Sequence, residues 1–277
     1  MIYDFNVGAD PEFLVYDPYK EEYYPICGLL GGTKRKPKYV DNGCYIQEDN
    51  VMAEVNIPQS NNVDDLHNSL QYIISHINQY LYNKNNLILS KECAAYFHEK
   101  YLCSRQAMEA GCDPDFNAWT NKVNPRPKVT EGTIRTAGGH IHVDLTKYYK
   151  IDRYKKRRLM SFVKCLDVTL GVPSILLDPD KMRKKLYGKA GAHRLKPYGV
   201  EYRVLSNFWT FNKKTIEWVF EGVRHSCTMH LDPSCRRYIN RNSDKIISLI
   251  NDGNEKECEK YINKLSKDLS FNPWPRG

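Results

Sequence analysis

Four short segments of this 277-residue chain repeat one pattern, and that pattern constrains the fold more than any other feature. Each places ionisable or amide side chains at positions i and i+2: Asp10-Pro11-Glu12, Glu54-Val55-Asn56, His140-Ile141-His142 leading to Asp144, and Glu201-Tyr202-Arg203. Successive side chains of a strand point to opposite faces, so each segment projects its polar pair to one side. The longest example predicts a strand over Gly43 to Ile57. There Val51, Ala53, Val55 and Ile57 share one face, Met52, Glu54 and Asn56 the other, and Pro58 ends the run.

Around these segments the chain alternates strand-like and helix-like stretches. Further strands are expected over Ile2 to Tyr16 (kinked at Gly8 and Pro11), Tyr24 to Leu30, Leu87 to Phe97, Ile134 to Leu145 and Val200 to Leu205. Val63, Leu66, Leu70, Ile73, Ile74, Ile77 and Leu81 recur at helical spacing after Asn61 and Asn62, and helices are expected at Ile151 to Leu170, Lys213 to His230 and Arg236 to Leu269. Ala110 to Gly132 and the basic stretch Asp178 to Gly199 read as long loops. Strands concentrated before residue 206 suggest an α+β fold, a curved and largely antiparallel sheet with helices on one face. Residues 1–277 read as a single domain with a helical part at about 213–277.

Composition narrows the function classes. Hydrophobic residues at 41% and charged residues at 27% argue against disorder and fibrous repeats. No apolar run suggests a membrane span and the start lacks a secretory pattern. Nine cysteines without a C-x-x-C pair fit a reduced, cytoplasmic setting. The net charge of +8 is compatible with an anionic partner or with a merely soluble surface.

If the sheet brings the polar faces together, several carboxylates crowd one place. They cannot all stay ionised without a compensating cation, and oxygen-rich sites with one imidazole suit Mg²⁺ or Mn²⁺. Taken singly, each motif has a plainer reading: a turn at Asp10-Pro11-Glu12, a solvated face at Glu54, a structural histidine pair, a surface ion pair at Glu201 and Arg203.

The segments GADPEF, AEVNIP, TAGGHIHVDL and GVEYRVLSNFW, spread from Gly8 to Trp209 over about three-quarters of the chain, resemble the carboxylate–amine ligases related to glutamine synthetase and glutamate–cysteine ligase. They are most similar to the phage-encoded type 2 COOH–NH2 ligases, or amidoligases. The resemblance implies a glutamine synthetase-like sheet that binds ATP, Mg²⁺ or Mn²⁺ and a carboxylate, and joins the carboxylate to an amine through an acyl phosphate. It implies metal ligation by Asp10 (a shorter variant of the glutamate common in the superfamily), Glu12, Glu54, His140 and Glu201. His142 would lie nearer the nucleotide, and Arg203 would meet the transferring phosphate or the substrate carboxylate.

An acyl phosphate needs shielding from water, so a closing loop is expected. Two basic stretches qualify, Gly31 to Lys38 and Lys181 to Lys196, with Lys34, Arg194 and Lys196 as nucleotide contacts; either stretch could instead be a solvated charge run. The implied partners are a carboxylate and an amine acceptor, small molecule, peptide or protein. Two other classes compete. A metal-dependent hydrolase would use the same histidines, yet His193 and His225 lack comparable strand contexts. A nucleic-acid-binding module would interleave aromatic residues with cations on a sheet face, whereas the faces here are acidic.

Overall fold

The computed structural model describes residues 4–108, 115–125, 132–147 and 155–269. Its strands in chain order are β1 (Asn6–Phe13), β2 (Val15–Asp17), β3 (Glu22–Tyr24), β4 (Lys38–Tyr39), β5 (Tyr45–Asp49), β6 (Met52–Ser60), β7 (Ile88–Leu89), β8 (Ala94–Tyr96), β9 (Phe116–Asn117), β10 (Lys122–Val123), β11 (Ile134–Thr136), β12 (Gly139–Asp144), β13 (Ala192–Lys196) and β14 (Gly199–Tyr202). The helices are α1 (Val63–Asn85), α2 (Arg105–Met108), α3 (Lys155–Leu166), α4 (Val172–Leu177), α5 (Met182–Leu186), α6 (Lys213–Leu231), α7 (Pro233–Arg241), α8 (Ser243–Asp252) and α9 (Glu255–Leu269).

Nine strands form one open antiparallel sheet in the order β10-β9-β13-β14-β12-β1-β6-β5-β4, which bears out the α+β expectation. One face is apolar and buried: Val7, Ala9 and Phe13 of β1, Ala53 and Val55 of β6, Ile141 and Val143 of β12, Val200 and Tyr202 of β14. These side chains share a core with Leu66, Leu70, Ile73 and Ile77 of α1, Leu159, Phe162 and Val163 of α3, and Val219 and Val223 of α6. Each buried Val, Leu, Ile or Phe here stabilises by roughly 1.5 to 3 kcal/mol, enough to decide which face the helices cover.

Several expected elements are divided. Gly43 to Ile57 is not one strand but a hairpin, because Asn50 takes a left-handed turn (φ +59°) between β5 and β6. Pro58 does not end β6, which runs to Ser60; pairing with β5 stops at Asn56, so the missing N–H falls where that side is open. At Gly8 the β1–β6 register slips, a bulge that matches the expected kink, whereas Pro11 continues the strand. Tyr24 to Leu30 is no strand beyond Tyr24. The Glu48 carboxylate accepts the backbone N–H groups of Gly28 (2.7 Å), Leu30 (2.9 Å) and Gly31 (2.8 Å), which curls that segment into turns.

Leu87 to Phe97 splits into β7 and β8 in two small sheets, and Ile134 to Leu145 splits at Ala137-Gly138. Arg236 to Leu269 is three helices, broken at Asn242 and at Gly253 (φ +66°). Of the Ala110 to Gly132 loop, the hairpin β9–β10 is described, and residues 110–114 and 126–131 lie outside the described residues. Residues 2–3 of the first expected strand and 151–154 of the expected helix start also lie outside them.

The Asp178 to Gly199 stretch is not a loop over the sheet. It holds α5 and β13, with Arg183 and Lys184 buried and donating to backbone carbonyls at Val204 (3.2 and 2.9 Å). Helix 155–177 is continuous through a π-helical segment, Asp167–Gly171. Contrary to the sequence reading, it is long and apolar enough to cross a membrane, yet 78% of its most apolar window is buried inside the protein.

Candidate functional site

Antiparallel register places the four polar pairs on the sheet face opposite the helices. Glu12 stands across from Glu54, and Glu54 across from Gln47. Asp10 stands across from His140, His142 across from Glu201, and Glu201 across from Arg194. Cross-strand partners point to the same side, so Asp49, Glu54, Glu12, Asp10, His140, His142, Glu201, Arg194 and Lys196 line one face of β5-β6-β1-β12-β14-β13. Arg203, two residues past Glu201, joins them.

Charge is graded along this face. At the β13–β14 end the buried Glu201 carboxylate is shared by three cations: an ion pair with Arg203, Arg194 at 3.3 Å and Lys196 at 2.7 Å. Burial and Asp10 push the Glu201 carboxyl up, but Arg203, His140 and Arg194 outweigh them and hold it down at about 2. In the middle, Asp10 meets His140 Nδ1 at 3.4 Å and His142 Nε2 at 3.0 Å. Burial works to raise Asp10, and the two imidazoles win, keeping it well below the usual carboxylate range. His140 Nδ1 also lies 3.2 Å from Arg203, and His142 Nδ1 is hydrogen-bonded to the Tyr198 hydroxyl. At the β5–β6 end Glu54 is pushed well above its ordinary value by burial and by Asp10, Glu12 and Asp49.

Two groups of ligand atoms suit a divalent cation. Asp10, His142 and Glu201 each offer an atom within 4.8 Å of the others, as do Glu12, Asp49 and Glu54. In the first group Asp10 Oδ1, His142 Nε2 and Glu201 Oε2 are buried without a hydrogen bond of regular geometry, which a hard cation would satisfy. The expected ligands therefore divide between two groups. His142 rather than His140 joins the first, and Asp49, which sequence reasoning left out, joins the second. The hairpin turn at Asn50 was the signal that could have found it. Tyr198 and Asp115, 3.8 Å from Arg203 Nε, carried no sequence signal.

The two glycines before His140 are scaffolding. Gly138 N–H donates to Glu12 Oε2 at 2.6 Å, aiming that carboxylate onto the face. The Gly139 carbonyl accepts Trp209 Nε1 at 3.0 Å, and a Cβ there would strike the Ser206 backbone. Asn207 Nδ2 donates to the Glu12 carbonyl at 2.9 Å, so the SNFW segment braces β1. The expected nucleotide contacts are separated. Arg194 and Lys196 sit beside Glu201, whereas Lys34 pairs with Asp49 at 3.4 Å at the acidic end. His193 does lie on a strand, but opposite Tyr202 and on the buried face.

An open antiparallel sheet with one helix-covered face and one face of graded charge defines a mixed α/β protein. Residues 134–270 match the family model of the phage phiEco32-like COOH.NH2 ligases, type 2. The match runs from β11 through α9, just under half of the chain, and the family's name is that of ligases of a carboxyl group and an amine. No curated protein matches the chain. Asp10, Glu12, Asp49 and Glu54 precede the matched residues and reach the site through sheet pairing alone.

Proposed function

We propose that this protein is an ATP-dependent carboxylate–amine ligase that activates its carboxylate as an acyl phosphate. One observation carries the reading: two divalent-cation groups lie on the same sheet face as Arg203, Arg194 and Lys196. A carboxylate is a poor electrophile, and converting it to an acyl phosphate asks a protein mainly for positioning and neutralisation of charge. Asp10, His142 and Glu201 would hold one Mg²⁺ or Mn²⁺, and Glu12, Asp49 and Glu54 a second. Bound there, such ions supply charge neutralisation for phosphate oxygens.

The chain's own residues do the rest. Arg203, fixed by Glu201 and His140, presents a planar donor to a phosphate or carboxylate. Arg194 and Lys196 keep that end cationic even with Glu201 and Asp115 counted against them. The acidic end favours an approaching amine over a second anion. Free thiols at every described cysteine go with the expected cytoplasmic setting.

The test is ADP release from ATP and Mg²⁺ measured against added carboxylates and amines. Release that needs both substrates supports the ligase. Amine- and ATP-independent hydrolysis would favour a metal-dependent hydrolase, and absence of turnover with nucleic-acid retention would favour a binding module.

A further inference from the structure

Asp167 is a carboxylate with no accessible surface on the helix side of the sheet, away from the cation groups. It begins the π-helical segment Asp167–Gly171, a local departure from α-geometry that often marks functional positions. Its two oxygens serve different parts of the fold. Oδ1 accepts the Tyr202 hydroxyl at 2.8 Å, and Oδ2 accepts the Trp119 indole N–H at 2.6 Å. Tyr202 is the residue between Glu201 and Arg203. Trp119 sits in the turn of the β9–β10 hairpin, with the Lys164 ammonium 4.9 Å from its ring.

That hairpin is tightly specified. The Asn117 side chain accepts the N–H groups of Trp119 (2.8 Å) and Thr120 (3.1 Å), and β9 pairs with β13. Directly before it, Asp115 takes a hydrogen bond from Asn124 on Oδ1 (2.9 Å) and turns Oδ2 toward Arg203 Nε at 3.8 Å. Burying a carboxylate is costly, and burial pushes the Asp167 carboxyl up to about 6 against its hydrogen bonds to Trp119, Tyr202 and the Gly191 backbone. A group retained at that cost, bridging the strand of Arg203 and the hairpin of Asp115, calls for a role.

We infer that Asp167 is a positioning residue that ties the β9–β10 hairpin to β14 through Trp119 and Tyr202, so that Asp115 holds the Arg203 guanidinium in register on the opposite face. The inference rests on the ligase reading only for its kinetic consequence. The hairpin precedes the residues matched by the family model, so that match assigns it nothing.

Trp119→Phe is the decisive variant, since it removes the indole N–H and keeps an aromatic ring; Asp167→Asn is the companion, because it keeps the shape but loses one acceptor. The Arg203 Nε–H resonance, assigned with Arg203→Lys, reports the geometry by NMR whatever the activity. Asp115→Asn is expected to move that resonance, Trp119→Phe to move it in the same direction, and the double variant to move it no further. ADP release should fall about tenfold in kcat/KM in either single variant and no more in the double, the size typical of lost outer-shell positioning. An Arg203 resonance unchanged in Trp119→Phe or in Asp115→Asn would overturn the inference. Wild-type protein that releases no ADP with any carboxylate and amine would defeat the ligase reading, and the NMR comparison would still decide the tether.

Discussion

Glu12 and Glu54 face each other directly across β1 and β6, and both side chains are buried. Like charges in that relation destabilise a sheet, and among the described residues no cation pairs with Glu54. Burial and its acidic neighbours raise the folded-state Glu54 value above the unfolded one, so its contribution to stability is fully present at acid pH and is lost as pH rises through the folded value. Glu54→Gln should therefore raise the melting temperature of metal-free protein at about pH 8 and change it little near pH 4, below the ordinary carboxylate range. Thermal melts at the two pH values check this, and equal shifts at both would contradict it.

Divalent cations should stabilise the fold. Mn²⁺ at about a hundred times its dissociation constant is expected to add about 2.7 kcal/mol, reversed by chelator. Asp10→Asn and His142→Gln should lose most of that gain, because Asp10 Oδ1 and His142 Nε2 belong to one ligand group. Melting curves with and without Mn²⁺ decide the matter. A full metal shift in Asp10→Asn would remove Asp10 from the ligands.

Replacing Arg203 separates catalysis from stability. Stranding a buried charge costs about 3 to 5 kcal/mol, but Glu201 keeps Arg194 and Lys196, so Arg203→Ala should cost less than that. Turnover should fall by about two to three orders of magnitude, as for other preorganised charges aimed at a developing anion. Arg203→Lys should recover only part, since an ammonium lacks the planar fork. Carboxylate-dependent ADP release and denaturant melts measure both quantities. Near-normal turnover in both variants would move the active centre elsewhere.

Limited trypsin digestion tests the placement of the basic stretch. Arg183 and Lys184 are buried and bonded to backbone carbonyls, so cleavage there should be slow without ligand and indifferent to ATP. Rapid cleavage after Arg183 that ATP suppresses would restore a mobile cover.

Acid should weaken the helical layer through His230. Burial, with Arg236 and Arg158 nearby, holds its imidazole down at about 4. A histidine lowered from its ordinary value of about 6.5 contributes stability that is present above that value and lost as pH falls through about 4. His230→Gln should shift the acid-unfolding midpoint to lower pH relative to wild type, read by circular dichroism. An unchanged midpoint would remove His230 from the acid response.

Local order in the chain was informative where local physics dominates. The spacing of Leu66, Leu70, Ile73, Ile77 and Leu81 specifies α1, whose residues 63–85 lie where that periodicity places them. Alternation around Glu54, His140 and Glu201 specifies which side chains share a face of each strand, and hence most of the polar site. Turn chemistry was harder to read. Asn50 breaks one expected strand into a hairpin, and Glu48 captures the amides that would have extended another.

What the amino-acid order determined by itself, then, is the two-sided character of each strand and the residue types on its polar side. Which strands are neighbours was settled only in three dimensions. Asp10 meets His140 and His142 across β1 and β12, and Glu201 joins them from β14, because sheet pairing links segments with no local signal for each other. Tertiary placement likewise brought Tyr198 to His142 and Asp115 to Arg203. The division into two cation groups depends on register, and one residue of slip would have turned a strand's polar side chains into the core.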